Sequence, residues 1–141
     1  MKNHILVINN NLEDIEKIKN ILGKVYRITI VKSTQKALEV VKDDTPDLVL
    51  VDISLIRISE DEFIKIIKKN KKLYKIPIIF IAASLRYKDE ELNMELGAID
   101  FLRKPIESEI MLKIIKLNLE LKNYIKDFEY RIHERNNRIE D

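Results

Sequence analysis

Short apolar runs alternate with longer amphipathic stretches along most of the chain. Five runs have the length and composition of β-strands: His4 to Ile8, Val25 to Val31, Leu48 to Asp52, Ile78 to Ile81 and Ile99 to Leu102. All but the second are almost continuously apolar, which is typical of strands covered by helices on both faces of a parallel sheet. The second alternates apolar and polar residues, which indicates a strand at the edge of the sheet.

The stretches between these strands have the apolar spacing of helices. The first carries apolar residues from Leu12 to Leu22, and Gly23 follows where helices often end in a left-handed residue. Three further helices are predicted after Ser33, after the capping-box sequence 59–62, and over 89–96. Strands alternating with helices predict an α/β fold, a five-stranded parallel sheet with helices on both faces.

The last helix is predicted to be much longer than the others. No proline or glycine occurs from Glu107 to about Ile139, so this helix spans about 32 residues, or roughly 48 Å. A sheet of five short strands covers less than half of that length. We therefore divide the chain into a domain of residues 1–120 and a projecting helix of residues 121–141.

An apolar stripe follows the long helix into its projecting part. Its members are Ile114, Leu117, Leu121, Ile125, Phe128, Ile132 and Ile139. Their spacing is that of coiled-coil heptads with one stutter between Leu117 and Phe128. Beyond Leu121 no sheet is left to cover the stripe, so we expect a homodimer through this helix.

Composition removes several classes of function. The formal net charge is only +2, so no nucleic-acid or membrane partner is expected. The chain has no cysteine, which excludes disulfides and thiolate chemistry, and only two glycines, which excludes a glycine-rich phosphate loop or dinucleotide fingerprint. No apolar run is long enough for a signal peptide or a membrane span, so we expect a cytoplasmic protein.

Candidate chemistry lies at the carboxyl edge of the predicted sheet. Asp52 ends a buried strand, and Lys104 follows the last strand. Ligands of such sheets bind at this edge. A carboxylate beside an ammonium group could accept a phosphoryl group, with the ammonium balancing the charge that develops on oxygen. The alternative is a structural ion pair.

Several ordered motifs make the chain resemble the receiver domain of two-component response regulators over about residues 3 to 118. The motifs are the strand Ile5 to Ile8 followed by Asn9 and Asn10, the strand ending in Asp52, Pro77 leading to Ala82 and Ala83, the stretch Gly97 to Phe101, and Lys104 with Pro105. The resemblance implies a flavodoxin-like fold without enzymatic activity of its own. It also implies phosphorylation of Asp52 by a histidine kinase or other phosphodonor, a contact from Lys104 to the phosphoryl group, and a downstream output domain.

The same resemblance implies a Mg²⁺ site, and here the chain departs from the family. The family holds Mg²⁺ with the phosphoacceptor Asp52, the backbone carbonyl at Ser54 and an acidic pair after the first strand. That pair is replaced by Asn9 and Asn10, whose amide oxygens bring no charge. Because Mg²⁺ is usually held by one or two carboxylates, we expect weak Mg²⁺ binding or none.

The family's switch positions also differ. Ala82 replaces the hydroxyl residue that contacts the phosphoryl group, and Ser84 comes two residues too late to replace it. Phe101 occupies the aromatic switch position without a hydroxyl group. Both positions are therefore expected to be degenerate.

Two hypotheses about function remain open. Asp52 is phosphorylated through a weakened Mg²⁺ site, or the chain is a degenerate pseudo-receiver that acts as a phosphorylation-independent interaction and dimerisation module. With Asp52 and Lys104 as its charged groups, the pocket is expected to be formally neutral. A phosphatase of the haloacid dehalogenase type is excluded, because Ser54 stands where its second acid would be.

Overall fold

The computed structural model describes residues 2–56, 62–83 and 100–140, without the side chains of 62, 64, 100 and 134–140. The strands are β1 (His4–Ile8), β2 (Arg27–Val31), β3 (Leu48–Asp52), β4 (Ile78–Ala82) and β5 (Asp100–Arg103). The helices are α1 (Leu12–Leu22), α2 (Thr34–Asp43), α3 (Glu62–Lys69) and the C-terminal helix (Ser108–Glu140), with a 3-10 turn at Ile53–Leu55. The helix predicted over 89–96, Ser84 and the capping-box residues 59–61 lie outside the described residues.

The five strands form one parallel sheet in the order β2-β1-β3-β4-β5. In the centre of the sheet Ile8 pairs with Val51, and Asp52 pairs with Ile81 on β4. This confirms the predicted five-stranded parallel α/β fold, including β2 at an edge. The carboxyl ends of all the strands therefore meet at one side of the sheet.

Two apolar cores cover the two faces of the sheet. Neighbouring side chains of a strand point to opposite faces, so the continuous apolar runs of β1 and β3 contribute to both cores. One core contains Leu6 and Ile8 with Phe63 and Ile67 of α3. The other core packs strand residues against α1 and the C-terminal helix. Its strand residues include Ile5, Val7, Leu48 and Leu50, and its helix residues include Ile18, Leu22, Met111, Ile115 and Leu119.

The ends of two helices agree only in part with the sequence prediction. Ser33 caps α2 as predicted, since its Oγ accepts a hydrogen bond from the N–H of Lys36 at 3.2 Å. The predicted left-handed residue at Gly23 is wrong, because its φ of −62° and ψ of −22° are right-handed helical values. Glycine fits there for another reason, since a Cβ would lie 2.6 Å from the carbonyl oxygen of Lys19.

The C-terminal helix is 33 residues long, which confirms the prediction of an unusually long last helix. Beyond Leu121 it still contacts the domain at the amino-terminal edge of the sheet. The Nζ atom of Lys122 lies 3.5 Å from Oδ1 of Asp47, and Glu129 forms an ion pair with Lys75. No helix among the described residues is long and apolar enough to cross a membrane.

Candidate functional site

The carboxyl edge of the sheet brings Asp52 and Lys104 together. Asp52 is the last residue of β3, and Lys104 directly follows β5. The backbone N–H of Lys104 donates to the carbonyl oxygen of Ala82 at 2.8 Å, which positions the start of the Lys104 side chain beside β4. The following peptide bond, to Pro105, is cis.

Both oxygens of the Asp52 carboxylate accept hydrogen bonds. Oδ1 accepts from the backbone N–H of Ser54 at 2.9 Å and from its hydroxyl at 2.8 Å. Oδ2 accepts from Nζ of Lys104 at 2.8 Å. Only 4% of the Asp52 side chain is exposed, and its three hydrogen bonds satisfy this buried charge. The hydroxyl contact of Ser54 was not anticipated from the sequence.

A further carboxylate, Asp14, also lies in this pocket. Its Oδ2 atom is 2.7 Å from Nζ of Lys104, an ion pair by distance although its angles are not those of a hydrogen bond. Lys104 therefore bridges two carboxylates. Within the part of the chain that the structure describes, the expectation of a formally neutral pocket is wrong, because Asp14 brings the sum of these three formal charges to −1.

Asp14 could have been found from the helical pattern of the sequence. The side chain of Asn11 caps α1 by accepting the N–H of Asp14 at 3.0 Å, so Asp14 occupies the third position of the helix. It precedes the buried Ile18 by one helical turn and so shares its sheet-facing side. An acidic residue on the sheet-facing side of α1, near the carboxyl ends of the strands, therefore indicates a pocket residue.

The pocket favours the charged forms of Asp52 and Lys104. Burial raises the pKa of Asp52, but hydrogen bonds from Lys104 and Ser54 outweigh it, and the net pKa is lowered. Burial lowers the pKa of Lys104, but Asp14 and Asp52 outweigh it, and the net pKa is raised. At neutral pH the two groups therefore form a charged pair.

The donor atoms at the position of the family's metal site do not fit Mg²⁺ well. Asn9 is fully buried, and its Oδ1 accepts the N–H of Asn11 at 2.8 Å. Asn10 is exposed. No cluster of three His, Cys, Asp or Glu side chains that could hold a metal is found within the described residues. Oδ1 of Asp52 already accepts two hydrogen bonds and Oδ2 accepts one, so a cation would bind at the remaining lone pair of Oδ2, close to the Lys104 ammonium group.

The two positions predicted from the resemblance as switch positions, Ala82 and Phe101, carry apolar side chains. Ala82 ends β4 and is 1% exposed, so it offers the pocket a methyl group and no hydroxyl. The ring of Phe101, on β5, is half-buried and meets the ring of Phe80 edge to face, with centroids 6.1 Å apart. The contact between two phenyl rings adds to the apolar core beside α3.

Comparison with known proteins identifies the family. Residues 5–116 match the model of the response regulator receiver domain. A probable cyclic di-GMP phosphodiesterase of Vibrio cholerae serotype O1 is 33% identical over 118 residues, which are 84% of this chain and 27% of that protein. Hybrid signal transduction histidine kinase D of Dictyostelium discoideum is 28% identical over 117 residues, 80% of this chain and 7% of that protein.

Solved structures show the same fold. A CheY-like response regulator receiver domain protein of Methanospirillum hungatei superposes with a TM-score of 0.74 at 21% identity, over 88% of this chain and 98% of that one. The chain spans well under two thirds of the two curated relatives, so the likeness is to one domain of each. The match of the family model over residues 5–116 shows that this chain belongs to the response regulator receiver domains of two-component signalling.

Proposed function

We propose that Asp52 is a phosphoacceptor, loaded by a histidine kinase or a small acyl phosphate. The observation that carries this proposal is the buried, ionised Asp52 carboxylate with the Lys104 ammonium 2.8 Å away. A lone pair of an Asp52 carboxylate oxygen forms a bond to phosphorus while the bond from phosphorus to the leaving group of the donor breaks. The leaving group departs with that electron pair, as acetate from acetyl phosphate or as neutral imidazole from a phosphohistidine that is protonated on its other ring nitrogen, and Lys104 balances the charge on the phosphoryl oxygens.

Loading is expected to be slow, with Mg²⁺ bound weakly or not at all. Asn9 and Asn10 supply no charge, and the oxygen of Asn9 already accepts a hydrogen bond from Asn11. Asp52 and the backbone carbonyl of Ser54 remain as the other Mg²⁺ ligands that the resemblance implies. This proposal describes a non-enzymatic signalling module in the cytoplasm that passes a signal to an output domain, and the names of its relatives do not define that output.

Incubation with acetyl phosphate and Mg²⁺, followed by mass spectrometry of the intact chain, tests the proposal. We expect one phosphoryl group to appear slowly in the wild-type chain and none in Asp52→Asn. Asp47→Asn is the control, because Asp47 ends no strand and lies at the opposite edge of the sheet. Equal labelling of wild type and Asp52→Asn, or no labelling of either, contradicts the proposal.

The long C-terminal helix supports a second candidate, a dimerisation module that acts without phosphorylation. Its outward apolar residues are exposed: Ile110 (47%), Leu117 (56%), Leu121 (50%), Tyr124 (74%) and Phe128 (65%). With the partly buried Ile114, these positions follow heptad spacing without a stutter. The register predicted from the sequence, through Ile125 and Ile132, needs a stutter, although both of those residues are also exposed.

The exposed heptad seam, defined as Ile110, Ile114, Leu117, Leu121, Tyr124 and Phe128, begins within the receiver domain. A second copy of the chain offers the same stripe, so a parallel pair of helices covers both. Parallel pairing also places the two receiver domains at the same end of the dimer.

A further inference from the structure

Asp14 gives the pocket a second carboxylate that lies within reach of the Lys104 ammonium group. Nζ of Lys104 lies 2.7 Å from Asp14 and 2.8 Å from Asp52, so the two carboxylates are close neighbours. Neither is well solvated, since their side chains are 17% and 4% exposed. The buried Oδ2 atom of Asp14 has no hydrogen-bond partner among the described residues, and the charge nearest to it there is the ammonium group of Lys104.

Phosphorylation of Asp52 would increase the negative charge that the Lys104 ammonium group has to balance. An aspartyl phosphate carries more negative charge than a carboxylate, and in the proposed function Lys104 is the group that balances it. Asp14 holds the same ammonium and adds a like charge beside the incoming group. In a partly buried pocket such repulsion is only weakly screened.

We propose that Asp14 competes with the phosphoryl group for Lys104 and thereby slows the loading of Asp52. Asp14 is a positioning residue in this scheme, because it acts through Lys104. The transfer keeps the atom and electron balance given above, since Asp14 forms and breaks no covalent bond. This inference rests on the proposed function of Asp52 as phosphoacceptor, and it adds a residue of α1 that limits the reaction.

The sharpest test compares Asp14→Asn with Glu13→Gln. Both substitutions remove one negative charge from the first turn of α1 with little change in shape. Glu13 is exposed, whereas Asp14 reaches the pocket. A general effect on helix stability or net charge is therefore shared by the two variants, and an effect through Lys104 belongs to Asp14→Asn alone.

Beryllofluoride is the probe, because it binds an aspartate as a phosphoryl mimic without covalent transfer. At saturating Mg²⁺ we expect Asp14→Asn to bind it about tenfold more tightly than the wild-type chain, a size expected for removing one nearby like charge. Glu13→Gln is expected to match the wild type. A merely structural role of Asp14 predicts weaker or equal binding, and either result overturns the proposal.

Acetyl phosphate separates this inference from the proposed function. Asp14→Asn is expected to label faster than wild type and Glu13→Gln. If no variant is labelled while Asp14→Asn still gains beryllofluoride affinity, the proposed function fails and the competition for Lys104 stands. Slower labelling of Asp14→Asn at saturating Mg²⁺ assigns Asp14 a supporting role and overturns the inference, as does failure of every variant to bind beryllofluoride.

Discussion

Two residues stabilise the charged form of Asp52, one distant from it in sequence and one close to it. Lys104 arrives from the end of β5, and Ser54 stands two residues after Asp52 and contacts Oδ1 with both its N–H and its hydroxyl. Ser54→Ala removes the hydroxyl contact, so the pKa of Asp52 is expected to rise toward its ordinary value. A ¹³C NMR titration of the Asp52 carboxyl group measures this pKa. Ser33→Ala is the matched control, because it removes a serine hydroxyl at the cap of α2 and not at Asp52.

The sign of the pH effect follows from the lowered pKa. Asp52 binds its proton less readily in the folded than in the unfolded chain, so its stabilisation is complete above the unfolded pKa. It is lost as the pH falls through the folded pKa. Ser54→Ala should therefore be less stable than wild type near neutral pH, and the difference should shrink in acid. An unchanged Asp52 titration would show that the hydroxyl contact is not made in solution.

At the scale of elements, β4 and β5 carry apolar side chains at the two positions that the family resemblance predicts to be switch positions. Ala82 offers no hydroxyl to a phosphoryl oxygen, and Phe101 packs on Phe80. A ligand shifts a conformational equilibrium only if it binds one state better, so beryllofluoride is expected to move few amide resonances away from the pocket. Ala82→Thr should enlarge the shifts at Phe101, and Ala82→Val, similar in shape without a hydroxyl, is the control.

The two outcomes of that experiment are distinct. Large shifts at Phe101 in the wild-type chain would mean that another donor replaces the missing hydroxyl. Equal shifts in the Thr and Val variants would assign the effect to side-chain volume.

For the whole molecule, the exposed heptad seam predicts a parallel homodimer. Burying Leu121, Tyr124 and Phe128 on each chain is worth on the order of several kcal/mol at about 25 cal/mol per Å² of apolar surface, before association costs. We expect a dimer at micromolar concentration by sedimentation equilibrium, and a monomer for Leu121→Glu. Val25→Glu is the control, because Val25 has the same 50% exposure as Leu121 but lies outside the helix.

A second pair of variants determines which register the dimer uses. Tyr124→Glu weakens a dimer built on the exposed heptad seam, whereas Ile125→Glu weakens one built on the register predicted from the sequence. A monomeric wild-type chain contradicts the dimer altogether. A chain ending at Leu119 is expected to be monomeric, since it lacks Leu121, Tyr124 and Phe128.

The sequence alone determined the sheet and the meeting of Asp52 with Lys104. Continuous apolar strands must be covered on both faces, and parallel strands bring their carboxyl ends to one edge, so residues at those ends converge whatever the details of packing. The length of the C-terminal helix followed in the same way from the absence of helix breakers. The family resemblance added roles for these residues but not their contacts.

Only the tertiary structure decided which carboxylates contact Lys104 and which face of the long helix is exposed. Asp14 joins the pocket because α1 docks with that side toward the sheet, and a helix's rotation on a sheet depends on contacts distant in sequence. The outward face of the long helix likewise depended on which apolar residues the domain buries, since Met111, Ile115 and Leu119 turn inward and leave Leu117 and Leu121 outside. Local patterns predict which residues are apolar, but docking decides what each of them meets.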